Sequence, residues 1–454
     1  MNEKGFFVAV TSSDWDRLLE GLFTADGHEN AAVLLCGVSD TESELRLLVR
    51  KVVHVPQHQY DIREPLRLKV SSRFYNEIIT ECLETGLIPI IIHSHPFDGE
   101  AWYSSADDFG ESRLLPVLKA LLPDAIPASL LVTRTAVTGR FHDGHEFRNL
   151  SGIRFVGEKF FVRRFDDLVS ASASDVYDRQ IRAFGDIGQQ RIRDLKSAVI
   201  GTGGIGSMVA EQLARVGVED LMLVDNDFIE KSNLSRVVGA TKADVGRNKA
   251  EVISRHLSET CGTKTSVISD SAIKQEVLLR LRDRDVIFLC VDNDQTRSIL
   301  NRFSHQYLIP TIDFGTRLDA REGTVTSAAG RVSIVGPDVT CLRCSHHISS
   351  ERIRAESLSD PERAELVKEG YVMGIDEPAP AVISINTVVA GLGVTGALNM
   401  VVGLTGGPNF PGQIYDARTG STFAITAVHE SGCDVCDAVD GVKGLGDNQI
   451  VSAY

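Results

Sequence analysis

Apolar and polar positions follow two rhythms along this chain. Up to about residue 165, short apolar runs of strand length occur at 31–37 (AAVLLCG), 87–92 (LIPIII) and 128–133 (ASLLVT). Between them lie patterns of helical period at 14–23 (DWDRLLEGLF), at 71–86 (SSRFYNEIITECLETG) and after Ser104. Beyond about residue 175 the alternation becomes regular: SAVIGTGGIG runs into MVAEQLARVG, then DLMLVDND, KAEVISRHLSE and DVIFLCVDND, with a further helix behind it. Strands taking turns with helices predict a mostly parallel sheet covered on both faces. The stretch DDLVSASASD at 166–175, small and polar, reads as a linker. The expected organisation is α/β throughout, with one domain over 1–165, a linker over 166–175 and a second domain over 176–454.

One apolar stretch has another reading. AVISINTVVAGLGVTGALNMVVGL (381–404) is long enough to span a bilayer, but Ser384, Asn386, Thr387, Asn399 and four glycines dilute it. A buried helix pair or a subunit interface is the preferred reading, and no membrane is expected. The chain has 454 residues, 43% hydrophobic and 24% charged, as a folded two-domain protein should. Its formal charge of -15 argues against nucleic-acid or anionic-membrane binding, since both need a basic surface. The N-terminus has no signal-peptide pattern, so a cytoplasmic protein is expected.

Candidate chemistry begins at Gly201-Thr-Gly203-Gly204-Ile-Gly206, after an apolar run and opening a helical one. Glycines there let backbone approach phosphate oxygens at a helix N-terminus, and Asp225 at the next strand end can accept from ribose hydroxyls. Alone, this pattern describes an NAD dehydrogenase equally well. The surrounding motifs are DNDFIEKSNLSRV (225–237), Lys249 in GRNKAE, Asp292 in CVDND and YDRQI at 177–181. In this order and spacing, over about residues 177–436, they resemble the ThiF-type adenylyltransferases and the related ubiquitin-activating enzymes. The resemblance implies a Rossmann-like adenylation domain that binds ATP and Mg²⁺. Asp225, with Asp227 beside it, would hold the ribose side, Asn233, Arg236 and Lys249 the triphosphate, and Asp292 the magnesium. Arg179 would reach a phosphate from the other subunit of a homodimer. Cations arrayed around phosphates also suit the charge that builds when a carboxylate attacks an α-phosphate.

Four of the eight cysteines form two CxxC pairs, Cys341/Cys344 and Cys433/Cys436. Four thiolates make a closed tetrahedral zinc site, expected to be structural; a redox dithiol is the alternative. Cys36, Cys82, Cys261 and Cys290 are scattered. No cysteine lies between Cys344 and Cys433, and KEGYVMG (368–374), where related enzymes can carry one, has none. Cys290, on a strand beside Asp292, reads as core.

The N-terminal part carries His93-Ser94-His95-Pro96, then Ser104 and Asp107. Two histidines two apart on an extended chain point the same way and can share a metal. The HxHP-x7-SxxD pattern resembles the JAMM (MPN/JAB) metallopeptidases over about residues 5–150. That implies a JAMM/MPN-like α/β domain whose His93, His95 and Asp107 bind a catalytic zinc, with Ser104 donating to the oxyanion. Ser104 and Asp107 also read as a helix cap, and both readings can hold at once. The family's glutamate base falls at Glu29, although the usual spacing to the strand-ending glycine lands on Asn30.

Together these features predict a bifunctional enzyme acting on a ubiquitin-like or sulfur-carrier β-grasp protein. The zinc isopeptidase would trim the tail or cleave a conjugate, and the second domain would adenylate the C-terminal glycine, with a conjugating enzyme or sulfur donor as further partner. Conjugation would suit a role such as antiphage defence. The alternatives are sulfur-carrier activation for cofactor or cysteine biosynthesis, and an adenylation enzyme whose N-terminal domain only recruits substrate.

Overall fold

The computed structural model describes residues 4–165, 175–358, 380–405, 411–426 and 428–449. The first part of the chain contributes β1 (Gly5–Thr11), α1 (Ser12–Leu22), β2 (Ala31–Asp40), β3 (Glu44–His54), β4 (Tyr60–Glu64), β5 (Arg67–Val70), α2 (Ser72–Thr85), β6 (Ile88–Ser94), α3 (Ser105–Leu121), β7 (Ala128–Val132), β8 (Val137–His142), β9 (Phe147–Asn149), β10 (Gly152–Val156) and β11 (Phe161–Arg164). Nine of these strands form one mixed sheet in the order β11-β10-β1-β3-β2-β6-β7-β8-β9, and β4 pairs with β5 alone. Strand β2 shows why the apolar runs become layers. Ala32, Leu34 and Cys36 enter a core with Leu18 and Leu22 of α1, while Ala31, Val33 and Leu35 enter another with Phe74 and Ile78 of α2 and Leu115 and Leu118 of α3. Alternate side chains of a strand face opposite ways, so a strand covered on both faces is apolar throughout.

The second part contributes α4 (Asp178–Arg193), β12 (Lys196–Ile200), α5 (Gly204–Val216), β13 (Asp220–Val224), α6 (Lys249–Cys261), β14 (Thr265–Ile268), α7 (Gln275–Leu281), β15 (Val286–Leu289), α8 (Asp294–Tyr307), β16 (Thr311–Arg321), β17 (Thr324–Val335), α9 (Ser350–Glu356), α10 (Ile383–Val402), β18 (Gly412–Asp416) and β19 (Ser421–Ala424). Strands β14-β13-β12-β15-β16 are parallel, as the strand–helix alternation predicts. The sheet then continues antiparallel through β17, β18 and β19, which makes it mixed. The reversal is made at Glu322 and Gly323, both at positive φ (47° and 77°), the geometry of a tight hairpin turn.

Within 381–404 the structure has the one helix α10, so the expected helix pair is corrected to a single element. By length and composition α10 could cross a membrane, and half of its most apolar window is buried in the fold. It packs on α4, α5, β16 and β17, which cover its buried half. The expected linker at 166–175, apart from its last residue, and the KEGYVMG segment lie outside the described residues.

A buried ionic seam joins the two sheets. Arg46 on β3 donates from Nε to Glu44 Oε2 at 2.8 Å and from Nη1 to the carbonyls of Arg282 and Arg284 at 2.9 and 3.1 Å. Arg154 on β10 meets both Glu44 and Asp285, and Lys196 Nζ reaches Glu44 Oε1 at 2.9 Å.

Candidate functional sites

A cavity of about 920 Å³ opens at the C-terminal ends of the parallel strands, where open α/β sheets place their ligands. Gly201 stands at φ +82° where β12 turns toward α5. A Cβ on Gly206 would lie 1.8 Å from Gly201 O, so this glycine lets α5 close down on the turn. Gly201, Gly203 and Gly204 line the cavity with Asp225, Asp227, Asn233, Arg236, Lys249 and Asp292. Gly206 sits behind the lining and acts through packing. Asp225 Oδ2 accepts from Thr202 N at 2.6 Å and Oγ1 at 3.0 Å, and Oδ1 accepts from Asp227 N at 2.9 Å. The carboxylate thus ties the glycine turn to the end of β13, and burial raises its pKa. Lys249 Nζ pairs with Asp227 at 2.8 Å, and Arg236 Nη1 donates to Ser232 O at 2.9 Å. Asp292 offers its carboxylate within the same cavity, a hard oxygen donor of the kind a magnesium ion takes.

Arg179, near the start of α4, is exposed and outside this lining. The lining instead contains cations for which the sequence gives no motif: Arg297, Arg317, Arg331 and Arg352. Arg331 pairs with the fully buried Asp313 at 2.6 Å, and Arg297 holds the same carboxylate at 3.0 Å. These residues come together through α8, the β16–β17 hairpin and α9, and no local spacing announces it. Cys290 lines the cavity floor, but burial pushes its thiol pKa well up, against nucleophilic use.

The four cysteines of the two CxxC pairs bring their sulfurs within 4.8 Å of one another. None of the eight cysteines forms a disulfide. Asn301 Nδ2 and Glu430 N donate to Cys341 Sγ and Cys344 Sγ, each at 3.4 Å. A hydrogen bond from Cys436 holds the Cys341 thiol well below its ordinary range. Four sulfurs at this spacing, two of them receiving N–H donors, fit a tetrahedral zinc.

In the N-terminal sheet, His93, His95 and Asp107 also bring one ligand atom each within 4.8 Å. Nε2 of His93 lies 3.1 Å from Asp107 Oδ1, and Nε2 of His95 lies 3.5 Å from Oδ2. His93 Nε2 is buried without a hydrogen-bond partner of proper geometry, which fits a metal position. Antiparallel register pairs Ala31 with His93; carried on by Ser94 N donating to Asn30 O, it sets Glu29 opposite His95. Glu29 Oε1 is 3.8 Å from His95 Nε2, and burial pushes the carboxyl up to about 7 against the pull of His95 and His93. Asn30 faces the other way. Its Nδ2 donates to Leu22 O and Thr24 Oγ1, and its Oδ1 accepts from Arg63. No slip in β2 is needed to bring Glu29 into place; the register shift falls on β3.

Ser104 caps α3 with a complete capping box. Its Oγ donates to Asp107 Oδ2 at 2.7 Å, which orients the candidate ligand. Phe97 and Trp102 flank the His95 ring at 5.4 and 6.0 Å between centroids, an aromatic border the motif alone does not reveal.

A family model described as the ThiF family matches residues 177–434. Adenylyltransferase and sulfurtransferase MOCS3 of Caenorhabditis briggsae is 28% identical over 211 residues, covering 45% of this chain and 48% of that protein. The chain thus spans about half the length of that relative. Molybdopterin-synthase adenylyltransferase of Escherichia coli K12 is 28% identical over 57% of this chain and 95% of its own length. Sulfur carrier protein ThiS adenylyltransferase of the same strain is 26% identical over 57% and 94%.

Proposed function

The chain belongs to the ThiF family, and from that premise we propose that residues 176–454 adenylate the C-terminal carboxylate of a small glycine-ending carrier protein with ATP. The observation that carries this reading is the cavity in which the glycine turn, Asp225, Asn233, Arg236, Lys249 and Asp292, from separate segments, share one lining. The N-terminus of α5 and the amides of the glycine turn would receive phosphate oxygens. Arg236 and Lys249 would stabilise the charge that builds as the carboxylate attacks the α-phosphate and pyrophosphate leaves. For Lys249 this means leaving Asp227 for the nucleotide. Magnesium held by Asp292 would neutralise part of the leaving charge. Arg179, exposed here, is assigned to the partner's cavity in a homodimer.

The relatives' names favour the sulfur-carrier branch for the substrate. The absence of any cysteine from 345–432 supports transfer of the adenylate to an external sulfur donor or partner thiol over an internal thioester.

Residues 1–165, which precede the family match, are assigned to a zinc hydrolase of the JAMM type that trims or releases the same tail. His93, His95 and Asp107 would hold the zinc, which supplies an activated water and polarises the scissile carbonyl. Glu29 would take the water's proton and return it to the leaving amine, and Ser104 would fix Asp107. The aromatic border at Phe97 and Trp102 would shield the tail from water.

The decisive assay is ATP–pyrophosphate exchange in the presence of candidate carriers ending in glycine. Exchange should require the carrier's terminal carboxylate and fall about 10²-fold in Lys249→Ala, the scale of losing one charge-stabilising group. Carrier-dependent exchange undiminished in Arg236→Ala and Lys249→Ala would sink the assignment of the cavity.

A further inference from the structure

The segment after the second cysteine pair, 437–449, lies between the two sheets and is held from both sides. On the N-terminal side the register between β2 and β3 slips beside Leu35 and Cys36 and leaves Arg50 of β3 without a cross-strand partner. A bulge of this kind re-aims a side chain out of the ladder. Arg50 uses the freedom to donate to the carbonyls of Val439, Gly441 and Lys443, each at 2.9 Å. Lys443 Nζ in turn reaches the buried Asp14 of α1 at 2.6 Å. The amide of Gly37 donates to Gly444 O at 3.1 Å, and the amide of Asp40 donates to Asp447 Oδ2 at 2.9 Å.

The opposite side of the same segment belongs to the end of α8. Gly444 N and Gly446 N donate to the carbonyls of His305 and Gln306 at 3.1 and 3.0 Å, and Tyr307 OH donates to Asp447 Oδ1 at 3.0 Å. The segment is therefore a strap with one edge on each unit. Its attachments are almost all polar. Its buried apolar content is Val442, which packs with the cysteines, and the half-buried Leu445, which touches both the cysteine cluster and the N-terminal core. A segment so poor in apolar burial has little stability of its own. What pins its start is Cys436, the residue immediately before it.

We propose that metal bound by the four cysteines fastens this strap, so that occupancy of the site decides whether the N-terminal unit stays locked against the adenylation unit through β2. The four-cysteine centre is then an interdomain clasp as well as a local staple. Binding energy of a structural metal is folding energy for whatever the ligands organise, and here that reaches two residues deep into the other unit's sheet, at Gly37 and Asp40. The ionic seam of Glu44, Arg46, Arg154 and Asp285 is built without the strap and should survive its release. The clasp would act whatever chemistry the two sites perform.

Hydrogen exchange read by mass spectrometry on the full chain tests it, with zinc content measured before and after chelation. Removal of the cysteine-bound zinc should speed exchange at least ten-fold in peptides covering 37–40 and 437–449, and leave 44–48 and 283–289 as before. His93→Ala with His95→Ala, which strips only the N-terminal ligands, should leave the strap protected. Arg50→Gln keeps every cysteine and should loosen 37–40 with zinc still bound. Three results each overturn the clasp: purified protein without metal at the cysteines, a strap as protected after metal loss as before, or both seams opening together. Full protection of 37–40 in zinc-bound Arg50→Gln would remove Arg50 and its bulge from the docking.

Discussion

Glu29 and Asn30 are neighbours, and the register of β2 on β6 separates them completely. A residue in register with His95 shares its face of the sheet, and its neighbour faces the opposite way. Asn30 is consumed by the chain around Leu22, Thr24 and Arg63, whereas Glu29 is left beside the histidines. Spacing counted to a glycine seven or eight residues downstream left both open; pairing with the histidine strand sets Glu29, and not Asn30, beside the histidines. Glu29→Gln preserves shape and removes the ability to accept a proton. Cleavage of a carrier with an extended tail should fall by about 10²-fold or more, the contribution typical of a positioned general base. Zinc bound at the proposed N-terminal site should be unchanged, because Glu29 is not among the three clustered candidate ligands. Cleavage at the parent rate by the zinc-loaded variant would place the base elsewhere.

Among the elements, α10 departs from the sequence reading. Its twenty residues carry no charge, and the pattern favours a buried helix pair or a subunit interface over a membrane span. The structure lays it across α5 and the β16–β17 hairpin, with Asn386, and Ala381 just before the helix starts, lining the cavity. Close approach depends on small residues: a Cβ on Gly393 would stand 2.1 Å from the Phe314 ring. Gly393→Ala should therefore cost about 1–3 kcal/mol as an overpacked contact, read as a lower denaturation midpoint. Because Phe314 also lines the cavity, the KM for ATP should rise in the same variant; an unchanged KM with full stability would show that α10 can shift freely. The parallel strands, the glycine turn and the two clusters of candidate ligands were legible because each is a local pattern with a fixed period or spacing. The antiparallel half of the second sheet was not. It is announced only by the Glu322–Gly323 turn, and the cations it adds, Arg317 and Arg331, reach the cavity through tertiary pairing. Ser104 was legible as a helix cap, and the structure has it there with a complete capping box.

At the scale of the whole molecule, the two units meet through groups that are expensive to bury alone. Glu44 lies within reach of Arg46, Arg154 and Lys196, and although burial works against its charge, these three cations hold its carboxyl well below the usual range. A carboxylate with a depressed folded pKa contributes stability above its ordinary value of 4.5, and that contribution fades as pH falls toward the folded value. Glu44→Gln removes the anion and leaves two buried guanidinium groups short of a partner. Breaking a buried pair from one side costs about 3–5 kcal/mol. For a unit of this size that lowers the unfolding midpoint at neutral pH by about 6 °C or more. The difference between parent and variant should be full at pH 7, begin to shrink below about pH 4.5 and vanish once Glu44 of the parent is itself protonated. A constant difference across that acid range would mean the variant acts through packing and not through charge. No difference at any pH would mean that the charge of Glu44 contributes nothing to stability, leaving the strap at 437–449 and the Ser13–Asp338 pair among the polar connections between the units.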